Sequence, residues 1–368
     1  MNQHYFAQLV SGESAGLRAQ ILRFLLILIS LPYKLVVVIR NFLYARKWLK
    51  VRCVDAIVIS IGNITTGGTG KTPFVIWLCK FLQKNGIRCA ILTRGYKATK
   101  NLKLKTQNYS DEPVILAESC PQAKVIVNPD RAAGANEAIE KFGARVLVMD
   151  DGFQHRRLCR DIDIVTIDAT RPFGYGKVLP AGLLREPVNS LKRADAVVIT
   201  RSNQVTESEL RKIETRIQKI KPDIIIARSV HSPVCIRTIG DREFGLEQLK
   251  SKKVFAFCGI GNPDGFMNTV KGLGANLVGM KIYDDHYHYT KRDIEDINAL
   301  ARKQNADMIL TTQKDFCKLP TEKRHSVADI SSGYLVIELK LVDGEDAITG
   351  LIKEAIAGKM AKNQGRLV

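Results

Sequence analysis

Proline is scarce in this chain, at 12 of 368 residues, and apolar residues at 45% outweigh charged residues at 25%. That balance excludes a disordered, collagenous or low-complexity chain. A mean hydropathy of −0.06 excludes a polytopic membrane protein, and no internal repeat is visible. None of the eight cysteines, at positions 53, 79, 89, 120, 159, 235, 258 and 317, stands in a C-x-x-C pair, and most lie inside apolar strings. They read as reduced, mostly buried thiols of a cytosol-facing protein, without a disulfide or zinc framework. Acid is also short. Fifty-six Lys and Arg face 37 Asp and Glu, giving +19 and a pI near 9.6. That excess implies an anionic partner: nucleic acid, nucleotide or phospholipid headgroups.

The charge is unevenly spread. Residues 1–50 hold seven Lys or Arg and one acid, Glu13, while residues 353–368 add a further +3. Between Ile21 and Ile39 two apolar blocks flank Pro32, Tyr33 and Lys34. On an insertion scale the apolar residues contribute about −4 to −8 kcal/mol, and Arg23, Lys34 and Pro32 cancel most of it. No small-x-small cleavage site follows, which excludes a signal peptide. The expectation is a helix, or a broken helix pair, in the membrane interface, with Arg40, Arg46, Lys47, Lys50 and Arg52 on anionic headgroups. A buried helix docked on the domain is the alternative.

Val54 to Ile61 forms an apolar run long enough for a buried parallel strand. It leads into Gly62-Asn63-Ile64-Thr65-Thr66-Gly67-Gly68-Thr69-Gly70-Lys71-Thr72-Pro73, and apolar residues at helical spacing follow as far as Gly86. A phosphate cradle needs glycines so that backbone N–H groups can face the anion, a helix N-terminus behind it, a Lys for the phosphates and a hydroxyl for Mg²⁺. Gly67, Gly68, Gly70, Lys71 and Thr72 supply these, although the first glycine of the strict motif falls on Thr65. A second run, Val146 to Met149, ends in Asp150-Asp151, then Gly152-Phe153-Gln154-His155. A P-loop requires such an acid at a neighbouring strand end to organise its metal.

Alternation of strand and helix continues, which predicts an α/β fold: a P-loop NTPase-type, mostly parallel sheet covered by helices, with a second, smaller α/β domain and an N-terminal membrane-associated helical segment. The expected boundaries are 1–50 for the membrane segment, 51–230 for the ATP-binding domain, 231–250 for a linker, 251–350 for the smaller domain that closes the cleft and 351–368 for a basic tail.

In these motifs the sequence resembles the tetraacyldisaccharide 4'-kinases, the lipid A 4'-kinases, which phosphorylate a membrane-embedded glucosamine disaccharide from ATP. The resemblance rests on Ile61-Gly62-Asn63 through Thr72-Pro73, Thr93-Arg94-Gly95-Tyr96, Ser110-Asp111-Glu112-Pro113, Asp130-Arg131, Asp150 to Arg157, Leu183-Leu184-Arg185-Glu186-Pro187, Gly259-Ile260-Gly261-Asn262-Pro263, Asp285-His286 and Lys314-Asp315. It implies that Asp111 is the base and His286 its assistant from the second domain. Lys71 neutralises phosphate charge, and Thr65, Thr66, Gly67, Gly68, Thr69, Gly70, Lys71 and Thr72 hold ATP. Thr72, Asp150, Glu112 and Asp151 organise Mg²⁺. Arg185, with Gln154 and His155, stands at the substrate, His155 in a positioning role. One departure is Thr312-Gln313-Lys314-Asp315, where the family has Thr-Glu-Lys-Asp, so a carboxylate is lost.

The resemblance further implies an acylated disaccharide phosphate as acceptor, an anionic membrane surface as partner and the cytosolic face of a bacterial inner membrane as location. No nucleic acid and no obligate protein partner are expected. A nucleic-acid-binding ATPase would suit +19, yet no basic-aromatic RNA module or zinc finger is present. A membrane-associated P-loop switch ATPase is the other alternative, but its signature lysine would stand where this chain has Thr66.

Overall fold

The computed structural model describes residues 3–95, 111–238, 242–285, 287–319 and 330–364. They divide into two compact units, one running to Val230 and resuming at Leu339, the other spanning His231–Glu338.

The chain opens with α1 (Gln3–Ser11) and α2 (Leu17–Ala45). α2 is one helix through Pro32, not a broken pair. Its 29 residues reach about 43 Å at 1.5 Å per residue, longer than the roughly 30 Å hydrocarbon core of a bilayer. By length and composition it can cross a membrane. Only Ala19, Ser30 and Val37 are buried, while Leu17, Phe24, Ile29, Leu35, Val36 and Phe42 are exposed. It is therefore not a core helix of the domain.

Strand and helix then alternate: β1 (Ile57–Gly62), α3 (Lys71–Lys84), β2 (Cys89–Thr93), α4 (Asp111–Ser119), β3 (Lys124–Val127), α5 (Arg131–Phe142), β4 (Val146–Asp150), β5 (Ile162–Asp168), β6 (Ala196–Thr200), α6 (Glu207–Gln218) and β7 (Ile225–Thr238). In the first unit the order is β7-β6-β5-β1-β4-β2-β3, and each neighbouring pair is parallel. A parallel sheet is covered on both faces, which is why its strands read as unbroken apolar runs. Ile57, Ile59 and Ile61 of β1 pack with Phe74, Leu78 and Leu82 of α3. Val58 points the other way, into a cluster with Ala132, Ala135 and Ala138 of α5. β1 stands at the centre, so the loop that leaves its carboxyl end opens where α/β sheets bind ligands.

The second unit contains β8 (Glu243–Phe244), β9 (Lys253–Cys258), α7 (Pro263–Gly272), β10 (Asn276–Ile282), α8 (Lys291–Lys303), β11 (Met308–Thr312), α9 (Gln313–Phe316) and the first part of β12 (Ser331–Asp343), before α10 (Glu345–Gln364). Its strands run β10-β9-β11-β12, all parallel.

Three expectations need correction. Residues 231–250 are not a patternless linker: β7 continues through them to Thr238 and pairs antiparallel with β8. Ile236 and Thr238 are buried along the strand, and Pro233 lies within it without ending it. The second unit ends at Glu338, not at 350, and the stretch from Asp346 onward, which reads as an amphipathic helix fraying into basic coil, is helical to Gln364 and belongs to the first unit. Ile348, Ile352 and Ile356, one turn apart, pack into the first unit's core beside β1 and α3. Finally, not all cysteines are reduced, because Cys53 and Cys159 form a disulfide. Arg52 and Leu158 make a parallel bridge in which the Cys159 N–H donates to the Arg52 carbonyl, bringing the two Cα atoms to 4.8 Å, within bonding range. Of the other six, Cys79, Cys89, Cys120 and Cys258 are buried.

Candidate active site

The loop after β1 is fixed before any phosphate arrives. Gly62 passes so close to Phe153 that a Cβ would lie 2.5 Å from the phenylalanine Cβ and 2.7 Å from its nitrogen, so no larger residue fits. Gly70 caps α3 at φ 82°, a left-handed conformation that costs glycine nothing. The first-turn amides of α3 consequently point outward without intrahelical acceptors, as an anion requires.

Hydroxyls brace the loop from the neighbouring strand ends. Asn63 Nδ2 donates to Thr69 Oγ1 at 3.0 Å, and Thr69 Oγ1 stands 2.8 Å from Thr166 Oγ1 of β5. Thr166 donates to the Gly62 carbonyl at 3.2 Å, and Thr200 of β6 to the Thr69 carbonyl at 3.0 Å. Arg201, paired with Asp168, donates to the Gly68 carbonyl at 2.9 Å. Thr66 aims both its N–H and its hydroxyl at the Leu183 carbonyl, at 2.7 and 3.3 Å, while Thr65 is buried in a bridge with Leu184. Those two threonines are engaged within the loop, whose exposed part is Gly67 and Gly68, leading through buried Thr69 and Gly70 to Lys71 and Thr72.

Beside it, the two carboxylates of Asp150-Asp151 behave oppositely. Asp150 ends β4 in register with Ile61 and is 2% exposed. Burial first, then the charges of Glu112 and Asp151, push its carboxyl up to about 7 against the pull of Lys71 and Arg131. Its Oδ1 is buried without a hydrogen-bond partner. Asp151, next along at φ 50°, is also pushed up by burial, but Lys71 at 3.4 Å and Arg185 at 2.8 and 3.0 Å hold it down to about 2. Adjacent residues thus carry one carboxylate clamped between cations and one poised, buried oxygen, the kind of split that assigns separate roles. Arg131, buried at the start of α5, donates to the Asp150 carbonyl at 3.3 Å and the Asn128 carbonyl at 3.0 Å.

The structure therefore gathers Lys71, Thr72, Glu112, Asp150, Asp151 and Arg185 around one loop. Gln154 Nε2 donates to the Asn63 carbonyl at 2.9 Å and so ties the Asp-Asp segment to the cradle. His155 is pushed down to about 4, by burial first and then by Arg131, Arg160, Arg157 and Arg94, so it is neutral near pH 7. His286 lies outside the described residues, as does the side chain of Asp111, which opens α4. Sequence reasoning missed the bracing by Thr166, Thr200 and the Arg201–Asp168 pair, because no motif marks which strand ends flank β1.

A parallel sheet with a glycine loop running from its central strand into a helix, facing acids on the adjacent strand, defines a P-loop nucleotide-binding protein. The family model for tetraacyldisaccharide-1-P 4'-kinase matches residues 22–357. A tetraacyldisaccharide 4'-kinase of Syntrophus aciditrophicus is 40% identical over 319 residues, covering 81% of this chain and 85% of the relative. One of Halothermothrix orenii is 31% identical over 361 residues, 92% and 94% of the two chains. Among solved structures, the "apo" form of LpxK from Aquifex aeolicus in complex with ATP is 29% identical, covers 91% of this chain and 99% of that one, and superposes with a TM-score of 0.68. The chain belongs to the tetraacyldisaccharide 4'-kinase family, the lipid kinases of lipid A biosynthesis.

Proposed function

We propose that this chain binds ATP in the Gly67–Thr72 cradle and transfers its γ-phosphoryl group in line to the 4'-hydroxyl of a tetraacyl glucosamine disaccharide 1-phosphate. The observation that carries the reading is the split pair beneath the loop: Asp151 clamped by Lys71 and Arg185, Asp150 buried with a free oxygen. Asp151 keeps Lys71 extended toward the phosphates and holds Arg185 at the acceptor. Asp111 accepts the proton of the sugar hydroxyl as the new bond forms, and His286 assists it; a secondary hydroxyl needs such a base. Neutral His155 and Gln154 position the loop.

Mg²⁺ fits this donor set. Asp150 offers a hard, buried oxygen that nothing else in the described residues engages, and Mg²⁺ ordinarily takes one or two carboxylates, substrate phosphates and several waters. Among the described residues no group of three His, Cys, Asp or Glu forms a metal cage, which this mode of binding does not require. Thr72 and Asp150 would hold the ion, with Glu112 and Asp151 directly or through its waters, and when bound it would neutralise charge on the transferring group.

α2 supports a place at a membrane, since its exposed apolar surface suits lipid better than water; the site's use of ATP puts it on the cytosolic side. The test is label transfer: purified protein, ATP, Mg²⁺ and detergent-dispersed disaccharide 1-phosphate should give labelled lipid, and no transfer overturns the reading. Asp111→Ala should lower kcat by about 10²-fold or more with ATP affinity nearly intact.

A further inference from the structure

Where α2 ends, three guanidinium groups share two acids, and a fourth stands beside them. Arg40 and Arg193 both pair with the fully buried Glu186, at 2.8 and 3.0 Å. Arg160 pairs with Asp163 at 3.1 Å. The fourth, Arg156, has no carboxylate within ion-pair distance among the described residues; it donates to the Asn41 carbonyl at 2.9 Å and lies over the Tyr44 ring at 5.0 Å. Burial first, then Arg193 and Arg160, pull its guanidinium down to about 10, against the charge of Glu186, which is already shared by Arg40 and Arg193. A partly buried cation crowded by like charges is a standing demand for an anion.

The surroundings indicate what kind of anion. Trp48 is 71% and Phe42 49% exposed just where α2 stops, with Arg46 over the Phe42 ring and Lys47 and Lys50 exposed beside them. Exposed aromatics and cations at the end of a long apolar helix mark headgroup level. Arg156 also stands only five residues beyond Asp151, on the segment that carries the candidate transfer site. Arg185, the arginine expected at a substrate phosphate, is instead engaged by Asp151.

We propose that Arg156, backed by Arg40 and Arg193, seats a phosphomonoester of the lipid acceptor: the phosphate on the sugar remote from the hydroxyl that is phosphorylated. This rests on the kinase reading above. The seat gives the enzyme a second grip on its acceptor at headgroup height and makes it discriminate against a lipid that lacks that phosphate.

The experiment compares the disaccharide lipid with and without its 1-phosphate, in neutral detergent micelles free of phospholipid, as substrates and as ligands in equilibrium binding. A charge-assisted contact predicts about a 10- to 100-fold preference for the phosphorylated lipid in kcat/KM and in affinity. Arg156→Gln should raise KM for that lipid about 10-fold or more, leave kcat and the KM for ATP unchanged and shrink the preference to within about 3-fold. Arg156→Lys should keep part of it, and it decides the matter if the glutamine variant does not fold. A preference that persists in these variants overturns the proposal. So does a loss that is equal for both lipids and arises only in micelles doped with phosphatidylglycerol, since the arginine would then serve bulk headgroups. Wild-type protein that binds the phosphorylated lipid preferentially but labels neither lipid contradicts the kinase reading and leaves the seat standing.

Discussion

α2 and α10 stand at opposite ends of the chain, both helices of 20 residues or more with isoleucine and leucine along them, yet they have opposite fates. α10 turns Ile348, Ile352 and Ile356 into the core against β1 and α3. α2 leaves Ile21, Leu25, Leu28, Ile29 and Ile39 exposed and is tied to the first unit at its lower half by Tyr33 on the Arg185 carbonyl and by Arg40 and Asn41 on Glu186. One helix completes the protein's own interior. The other is finished only by a surrounding that the chain does not supply. Apolar content separates the two: α10 carries its isoleucines on one stripe, at 348, 352 and 356, among charged residues, which a sheet can cover, whereas α2 is apolar over most of its surface.

The contrast can be broken most forcefully at Ile352. Ile352→Asp buries an unpaired charge in the nucleotide unit and should cost about 4 kcal/mol or more; a cooperative unfolding transition at the wild-type temperature would show that α10 is dispensable. A smaller effect, of another kind, is expected at Ile29. Ile29→Asp should leave unfolding and ATP binding of the detergent-solubilised protein unchanged but weaken membrane partitioning by about 2.5 to 3.5 kcal/mol, on the order of 100-fold, measured by vesicle flotation. A large loss of stability instead would make α2 a core element after all. The mildest change sharpens the tie between the two regions. Glu186→Gln should destabilise by about 2 kcal/mol, read as a shift in the urea midpoint. Burial raises the Glu186 carboxyl, but Arg193, Asn41, Ser190 and Arg40 outweigh it and hold the group below its ordinary value. That stabilisation is therefore present above the ordinary glutamate range and fades as pH falls through the depressed value. The gap between wild type and variant should close in acid, and a gap independent of pH would mean that charge is not what Glu186 contributes.

Elements whose cause is local were legible in the sequence. β6 falls on the apolar run Ala196–Thr200, and Thr206 caps α6 through Glu209 in a capping box. The strand, glycine turn and helix around Lys71 were equally plain. Arrangements that depend on strand order were not. Thr166 and Thr200 brace the cradle only because β5 and β6 lie next to β1 in the sheet, and nothing within either strand announces that. The same holds for Asp150 and Asp151, which look interchangeable until Arg185, 34 positions on, selects one of them. β7 hid behind Pro233, and Cys53 and Cys159 met through a bridge between segments more than 100 residues apart.

The place of α10 in the core has a consequence for how the enzyme is made. Between Gly62, where the cradle begins, and Glu345, where α10 begins, lie roughly 280 residues, about 15 to 60 s of ribosomal elongation. For that interval α2 is already made while one apolar face of β1 and α3 waits for its cover. The nucleotide unit therefore closes only after almost the whole chain has been made, long after α2 has left the ribosome.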